Sequence, residues 1–67
     1  MQITMRAART NAGLTQEEAS KQLGISETTL RNWESGKSTP RASKFPDICR
    51  LYKCSIENII FFENNLR

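Results

Sequence analysis

Few residues in this 67-residue chain could do chemistry, and what is missing narrows the field. There is no histidine, which removes imidazole bases and imidazole metal ligands. Asp47 is the single aspartate. The two cysteines, Cys49 and Cys54, stand five apart, neither a CxxC redox pair nor half of a zinc site. On a helix that spacing puts them on different faces. They are read as reduced thiols acting as small apolar residues. No metal, no cofactor and no small-molecule ligand is expected. A helical chain of this length also leaves little room for a pocket of about 300 Å³ or more, so an enzyme is not expected. What remains is a set of short polar groups, Ser26, Glu27, Thr28, Arg31 and Asn32, followed by a basic stretch. Taken alone, such groups suit either plain solvent or the base edges and phosphates of a nucleic acid.

Charge placement bears on that choice. The chain carries a net charge of +3. Residues 1–36 are balanced, whereas residues 37–54 set Lys37, Arg41, Lys44, Arg50 and Lys53 against Asp47 alone. The excess therefore lies just after the polar group and points towards an anionic partner. The longest apolar run, Ile59-Ile60-Phe61-Phe62, is far short of the roughly 20 residues of a membrane span. The N-terminus lacks the apolar core of a signal peptide, so a cytoplasmic protein is expected, without membrane contact.

These groups need elements to hold them. Hydrophobic residues at 37% and charged residues at 25% are near globular averages, and 67 residues make one domain, 1–67. Met, Ala and Arg over 3–12 predict a first helix, closed by Gly13. Thr15-Gln16-Glu17-Glu18 is a capping box that opens a second helix, 16–23, with Ala19 and Leu23 on one face. Gly24 ends it. Ser26 caps a third helix, 27–34, whose apolar stripe is Leu30 and Trp33. A polar loop follows. Pro46 suits a first turn, so a fourth helix starts near 44–45 and runs to about 53. Ser55 is read as the cap of a fifth helix, 56–64. No segment alternates with period two, and no sheet is expected.

Helices two and three are separated only by Gly24-Ile25-Ser26. That turn is too tight for an antiparallel pair. Gly24 accepts a positive φ, Ile25 drops between the helices, and the two cross steeply as a helix-turn-helix over 16–35. The frame is Ala19, Leu23, Ile25, Leu30 and Trp33, with Ser20 small enough for the close approach.

At this point the chain resembles a known family, the Cro/repressor-type helix-turn-helix transcription regulators of phages and bacteria, also called the xenobiotic-response-element type. The matching text is Gly13-Leu14-Thr15-Gln16-Glu17-Glu18-Ala19, Leu23-Gly24-Ile25-Ser26, Leu30-Arg31-Asn32-Trp33-Glu34-Ser35-Gly36-Lys37 and Cys54-Ser55-Ile56-Glu57-Asn58-Ile59-Ile60. It covers essentially the whole chain. The resemblance implies an all-α, five-helix, lambda-repressor-like fold, whose third helix enters the major groove of double-stranded DNA. It implies base contacts from Ser26, Glu27, Thr28 and Asn32. Asn32 suits adenine, Glu27 the cytosine amino group and Thr28 a thymine methyl. It implies phosphate contacts from Gln16, Arg31, Lys37 and Arg41, and a salt bridge between Arg9 and Glu34. It also implies a homodimer on a palindromic operator, meeting near Ile56, with Phe61 and Phe62 as apolar area nearby; the alternative is that Ile56 and one Phe only complete the protomer core.

There are departures. Ser20 stands where the family usually has alanine. Glu27 is acidic on a face turned to DNA, and has a second option in an i, i+4 pair with Arg31. Lys44, Arg50 and Lys53 are read as solvated charges. The functional expectation is a Cro-like repressor that acts by occupying its operator, there being no room in these residues for a sensor domain. The rival is a helical protein-interaction module, such as an antitoxin or adaptor, with Phe61 and Phe62 as its aromatic patch.

Overall fold

Thr4 sets where the first helix begins. Its hydroxyl accepts a hydrogen bond from the Ala7 amide at 3.1 Å, so the helical hydrogen bonds start at Met5 and not at residue 3. The computed structural model describes residues 2–60. In order they form strand β1 (Ile3–Thr4), helices α1 (Met5–Asn11), α2 (Gln16–Leu23) and α3 (Glu27–Ser35), a 3-10 turn at Ala42–Lys44, helix α4 (Phe45–Tyr52), a second 3-10 turn at Ile56–Asn58, and strand β2 (Ile59–Ile60).

The α2 and α3 caps follow their local signals. Glu18 N donates to Thr15 Oγ1 at 3.1 Å, and Thr15 N donates to Glu18 Oε1 at 3.0 Å, which completes the capping box. Ser26 Oγ accepts from Thr29 N at 3.0 Å. Between them Gly24 adopts φ +72°, and the Ile25 amide folds back to the Ser20 carbonyl at 3.0 Å. That closure, a Schellman motif, needs a left-handed residue, and glycine adopts it without a Cβ penalty. Buried Ser20 satisfies its hydroxyl on the Glu17 carbonyl at 3.0 Å.

Helix α4 ends in the same way without a glycine. Lys53 takes φ +56°, the one positive φ among the described non-glycine residues, and Cys54 N donates to Cys49 O at 3.1 Å. A left-handed L-residue carries a strain of about 1–2 kcal/mol. Glycine relieves it but is freer in the unfolded chain, so Lys53→Gly is expected to raise stability by about 0.5–1 kcal/mol. A urea denaturation midpoint that stays put or falls would show that Lys53 is not strained there. The same turn folds Cys54 back over the end of α4. Both free cysteines are half-buried against the core, Cys54 lying past the helix and not on its opposite face.

Two expectations fail at the C-terminal side. The described residues contain four α-helices, not five, and a small sheet is present. Ser55 makes no side-chain cap, and residues 56–58 form only a single 3-10 turn. Ile59 and Ile60 then pair in parallel with Ile3 and Thr4. The β-branched Ile59-Ile60 pair favours extended backbone, and Ile3–Thr4 offers it an edge next to the core. Residues 61–64 of the expected helix lie outside the described residues.

The core is Met5, Ala8, Ala19, Leu23, Leu30, Ile48, Tyr52 and Ile59. It draws on all four helices and on β2. Trp33 and Ile25 pack on its margin, half-buried.

Candidate nucleic-acid interface

Helix α3 separates its residues by face. Leu30 is fully buried, whereas Glu27, Thr28 and Arg31 are exposed and Asn32 is half-buried. Ser26 is exposed, but its hydroxyl is already engaged. It accepts from the Thr29 amide and donates to Thr29 Oγ1 at 2.9 Å. Only one lone pair is left, so Ser26 can meet another group as an acceptor only. Glu27 and Arg31 form no ion pair; the pairs among the described residues are Arg9–Glu34 and Asp47–Arg50. Glu27 therefore stays on the exposed face with its carboxylate unpaired by a cation.

The loop after α3 leaves Lys37 and Arg41 exposed. The turn at Gly36 (φ +86°) aims it, with the Lys37 and Ser38 amides both donating to the Asn32 carbonyl, at 3.0 and 3.3 Å. Pro40 is buried and pins the middle of the loop to the body. Helix α3 and the basic loop are thereby held in one frame.

Behind α3 lies a polar network. Arg9 Nε donates to Glu34 Oε2 at 2.7 Å and Arg9 Nη2 to Glu34 Oε1 at 3.3 Å. Arg9 Nη1 donates to the Leu14 carbonyl at 2.8 Å. Gln16 Nε2 also donates to Glu34 Oε1, at 3.0 Å. The Gln16 side chain, at the N-terminus of α2, is thus oriented by the carboxylate that Arg9 holds. Shallow depressions on this side bring Gln16 and Arg31 together with Arg6, an exposed cation of α1. Nothing in the sequence singles out Arg6, because its place beside Gln16 depends on how α1 packs.

Lys44, expected as a solvated charge, is placed differently. It is not solvated: half-buried, its Nζ donates to the Leu23 carbonyl at 2.9 Å. A cation at the C-terminus of α2 is favoured by the helix dipole and satisfies one of the free carbonyls there. Ile56 is 52% exposed and is the one exposed large hydrophobic residue among those described. Phe61 and Phe62 lie outside the described residues.

The family model described as helix-turn-helix matches residues 5–59, so it takes in α1 to α4 and reaches β2. The chain belongs to the Cro/C1-type helix-turn-helix family of transcriptional regulators. Among helix-turn-helix proteins it is 32% identical over 56 residues to the HTH-type transcriptional activator BcrR of Enterococcus faecalis, covering 84% of this chain and 28% of the activator. It is 31% identical over 64 residues to an uncharacterized HTH-type transcriptional regulator of Archaeoglobus fulgidus, covering 96% of this chain and 91% of that one. No solved structure matches it significantly. No helix among the described residues is long and apolar enough to cross a membrane.

Among the described residues one buried side-chain group has no hydrogen-bond partner, the Tyr52 hydroxyl at the end of α4. Burial, reinforced by the Glu34 carboxylate and partly opposed by Arg9, pushes its pKa up to about 12. An acid whose folded pKa is raised stabilises the fold fully below its unfolded value, about 10. That contribution is lost as pH climbs from about 10 towards 12, because only the unfolded chain sheds the proton. The chain has one tyrosine, so tyrosinate absorbance reports this group alone. A midpoint well above 10, or unfolding that brings ionisation on abruptly, is expected. A free titration near 10 with the fold intact would show that the hydroxyl is not buried.

Proposed function

We propose that residues 1–67 act as one sequence-specific double-stranded-DNA-binding domain that lays α3 in the major groove. The observation that carries this reading is the division of α3. Its apolar side is locked into the core, and its outer side presents short polar groups at the helix start. A recognition helix of the helix-turn-helix type contacts bases from that end. Thr28 and Asn32 carry most of the reading, Ser26 adds an acceptor, and Glu27 selects the cytosine amino group or rejects phosphate. Gln16, Arg31, Lys37 and Arg41 meet the backbone, and Arg6 joins them from α1.

The domain works as a Cro-like repressor, by occupancy of a palindromic operator. One α3 reads only a few base pairs, too few for selectivity in a genome. A two-fold pair spaces its recognition helices about 34 Å apart, one turn of DNA. Ile56 supports such a pairing face, with Phe61 and Phe62 following it in sequence. Repression is the simpler reading for occupancy alone.

The test is selection of bound sites from random duplexes, followed by footprinting and stoichiometry. Asn32→Ala is expected to cost about 1–3 kcal/mol on the selected site and to relax one base position. Lys37→Ala is expected to weaken all sequences alike and to lower the salt slope by about one unit. Equal loss from Asn32→Ala on selected and random DNA would remove it from base reading. One protomer per site, or an Ile56→Asp variant that folds and binds a palindrome unchanged, would end the dimer reading. Failure to select any DNA would favour the protein-interaction alternative, for which exposed Ile56 is the available anchor.

A further inference from the structure

We propose that Lys44 is a positioning residue for DNA binding, one that holds the basic loop against the helix-turn-helix without touching DNA itself; this rests on the reading above. The loop between Gly36 and α4 is tied by hydrogen bonds at both ends, with Pro40 buried between them. At its start the Lys37 and Ser38 amides are tied to the Asn32 carbonyl at the end of α3. At its end Lys44 reaches across to the last residue of α2, donating from Nζ to the Leu23 carbonyl at 2.9 Å. The Lys44 amide meanwhile closes the turn onto the Arg41 carbonyl, also at 2.9 Å. The residue bonded through its backbone to Arg41 is thus the residue whose side chain grips the helix-turn-helix turn. Arg41 and Lys44 line one depression together with Ile25 of that turn and Trp33 of α3.

The physical argument turns on what the Lys44 ammonium gains there. The Leu23 carbonyl sits at a helix C-terminus, where orphan carbonyls and the dipole both favour a cation. A charge-assisted hydrogen bond in a half-buried setting is stronger than a neutral one. Its ammonium is directed into the protein at Leu23, whereas Lys37 and Arg41 are left exposed. The three cations of the loop region are therefore divided in role. Two face outwards, and the third fixes the frame in which they do so.

Lys44→Met keeps the stem and deletes the donor, while Lys44→Arg keeps a cation that can reach the same carbonyl. Amide hydrogen exchange on the free protein is the first reading. Lys44→Met is expected to speed exchange at 38–45 and to leave the core amide of Leu30 unchanged. DNA affinity is the second. Lys44→Met is expected to weaken binding about tenfold, and Lys44→Arg to recover most of it. Arg41→Ala is expected to weaken binding in the parent and to have little further effect in the Lys44→Met background, because Arg41 is no longer held in place. Unchanged loop exchange overturns the proposal whatever DNA does. Faster exchange with fully additive Lys44 and Arg41 effects also overturns it, since Lys44 would then be an independent phosphate contact. If the parent protein binds no DNA, the DNA reading falls and the positioning role falls with it, even where the exchange result shows the mooring.

Discussion

Glu34→Ala is expected to destabilise the fold by about 3–5 kcal/mol, because it strands a buried cation. The Glu34 side chain is 4% exposed and that of Arg9 12%. The Glu34 carboxylate accepts two hydrogen bonds from the Arg9 guanidinium and one from Gln16. Without it, Arg9 keeps the Leu14 carbonyl as its remaining partner in the structure. A chain of 67 residues has a total stability of only about 3–10 kcal/mol. The variant is therefore expected to be largely unfolded at physiological temperature, with the loss read by far-ultraviolet circular dichroism against urea. Arg9→Ala should cost a comparable amount, since it leaves the more deeply buried Glu34 carboxylate with Gln16 as its remaining partner in the structure. The double variant should show coupling of about 1 kcal/mol or more. Replacing both with apolar residues of similar size should be milder than either single change, because no charge is then left unpaired. Additive single effects would mean that the ion pair contributes nothing as a pair.

Leu30→Ala is expected to cost about 2–5 kcal/mol, by opening a cavity where the helices meet. Leu30 is 0% exposed and, with Ile48, is one of the two largest fully buried side chains. It lies on α3, which packs against both α1 and α2. Nearby side chains are small or already in contact, Ala8 and Ala19 among them, so little can collapse into the space. In a domain of this size each kcal/mol shifts the melting temperature by about 4–8 °C. A fall of roughly 8–40 °C follows. Thr28→Ala, on the exposed side of the same helix, is the control and should change stability by less than about 0.5 kcal/mol. If the two variants melt alike, the division of α3 into a core side and an outer side is wrong, and the functional reading goes with it.

The parts of the fold that could be read from the residues are those fixed by near neighbours. The Thr15–Glu18 capping box, the Ser26 cap and the Gly24 turn each need partners three to five residues away. A sequence displays such pairs directly, so the span from α2 to α3 and its core face were legible. So was α4, since Pro46 fits a first turn and Ile48 and Tyr52 share a face. Helix α1 was foreseen two residues too long at its start, although Thr4 was available as a capping signal.

What tertiary structure alone decided is found where the partner is remote. Ile3 pairs with Ile59 across almost the whole chain. Two residues of strand show no period, and the β-branched Ile59-Ile60 pair is too weak a local signal to announce that helix formation will stop after one turn. The competition is settled by the open edge at Ile3–Thr4 and the core site for Ile59, neither visible locally. Lys44 is the same case among the polar groups. In sequence it is one more basic residue of a loop. Folding brings the end of α2 within 2.9 Å of it, and the unsatisfied Leu23 carbonyl, a product of where α2 stops, turns a solvated charge into a tether.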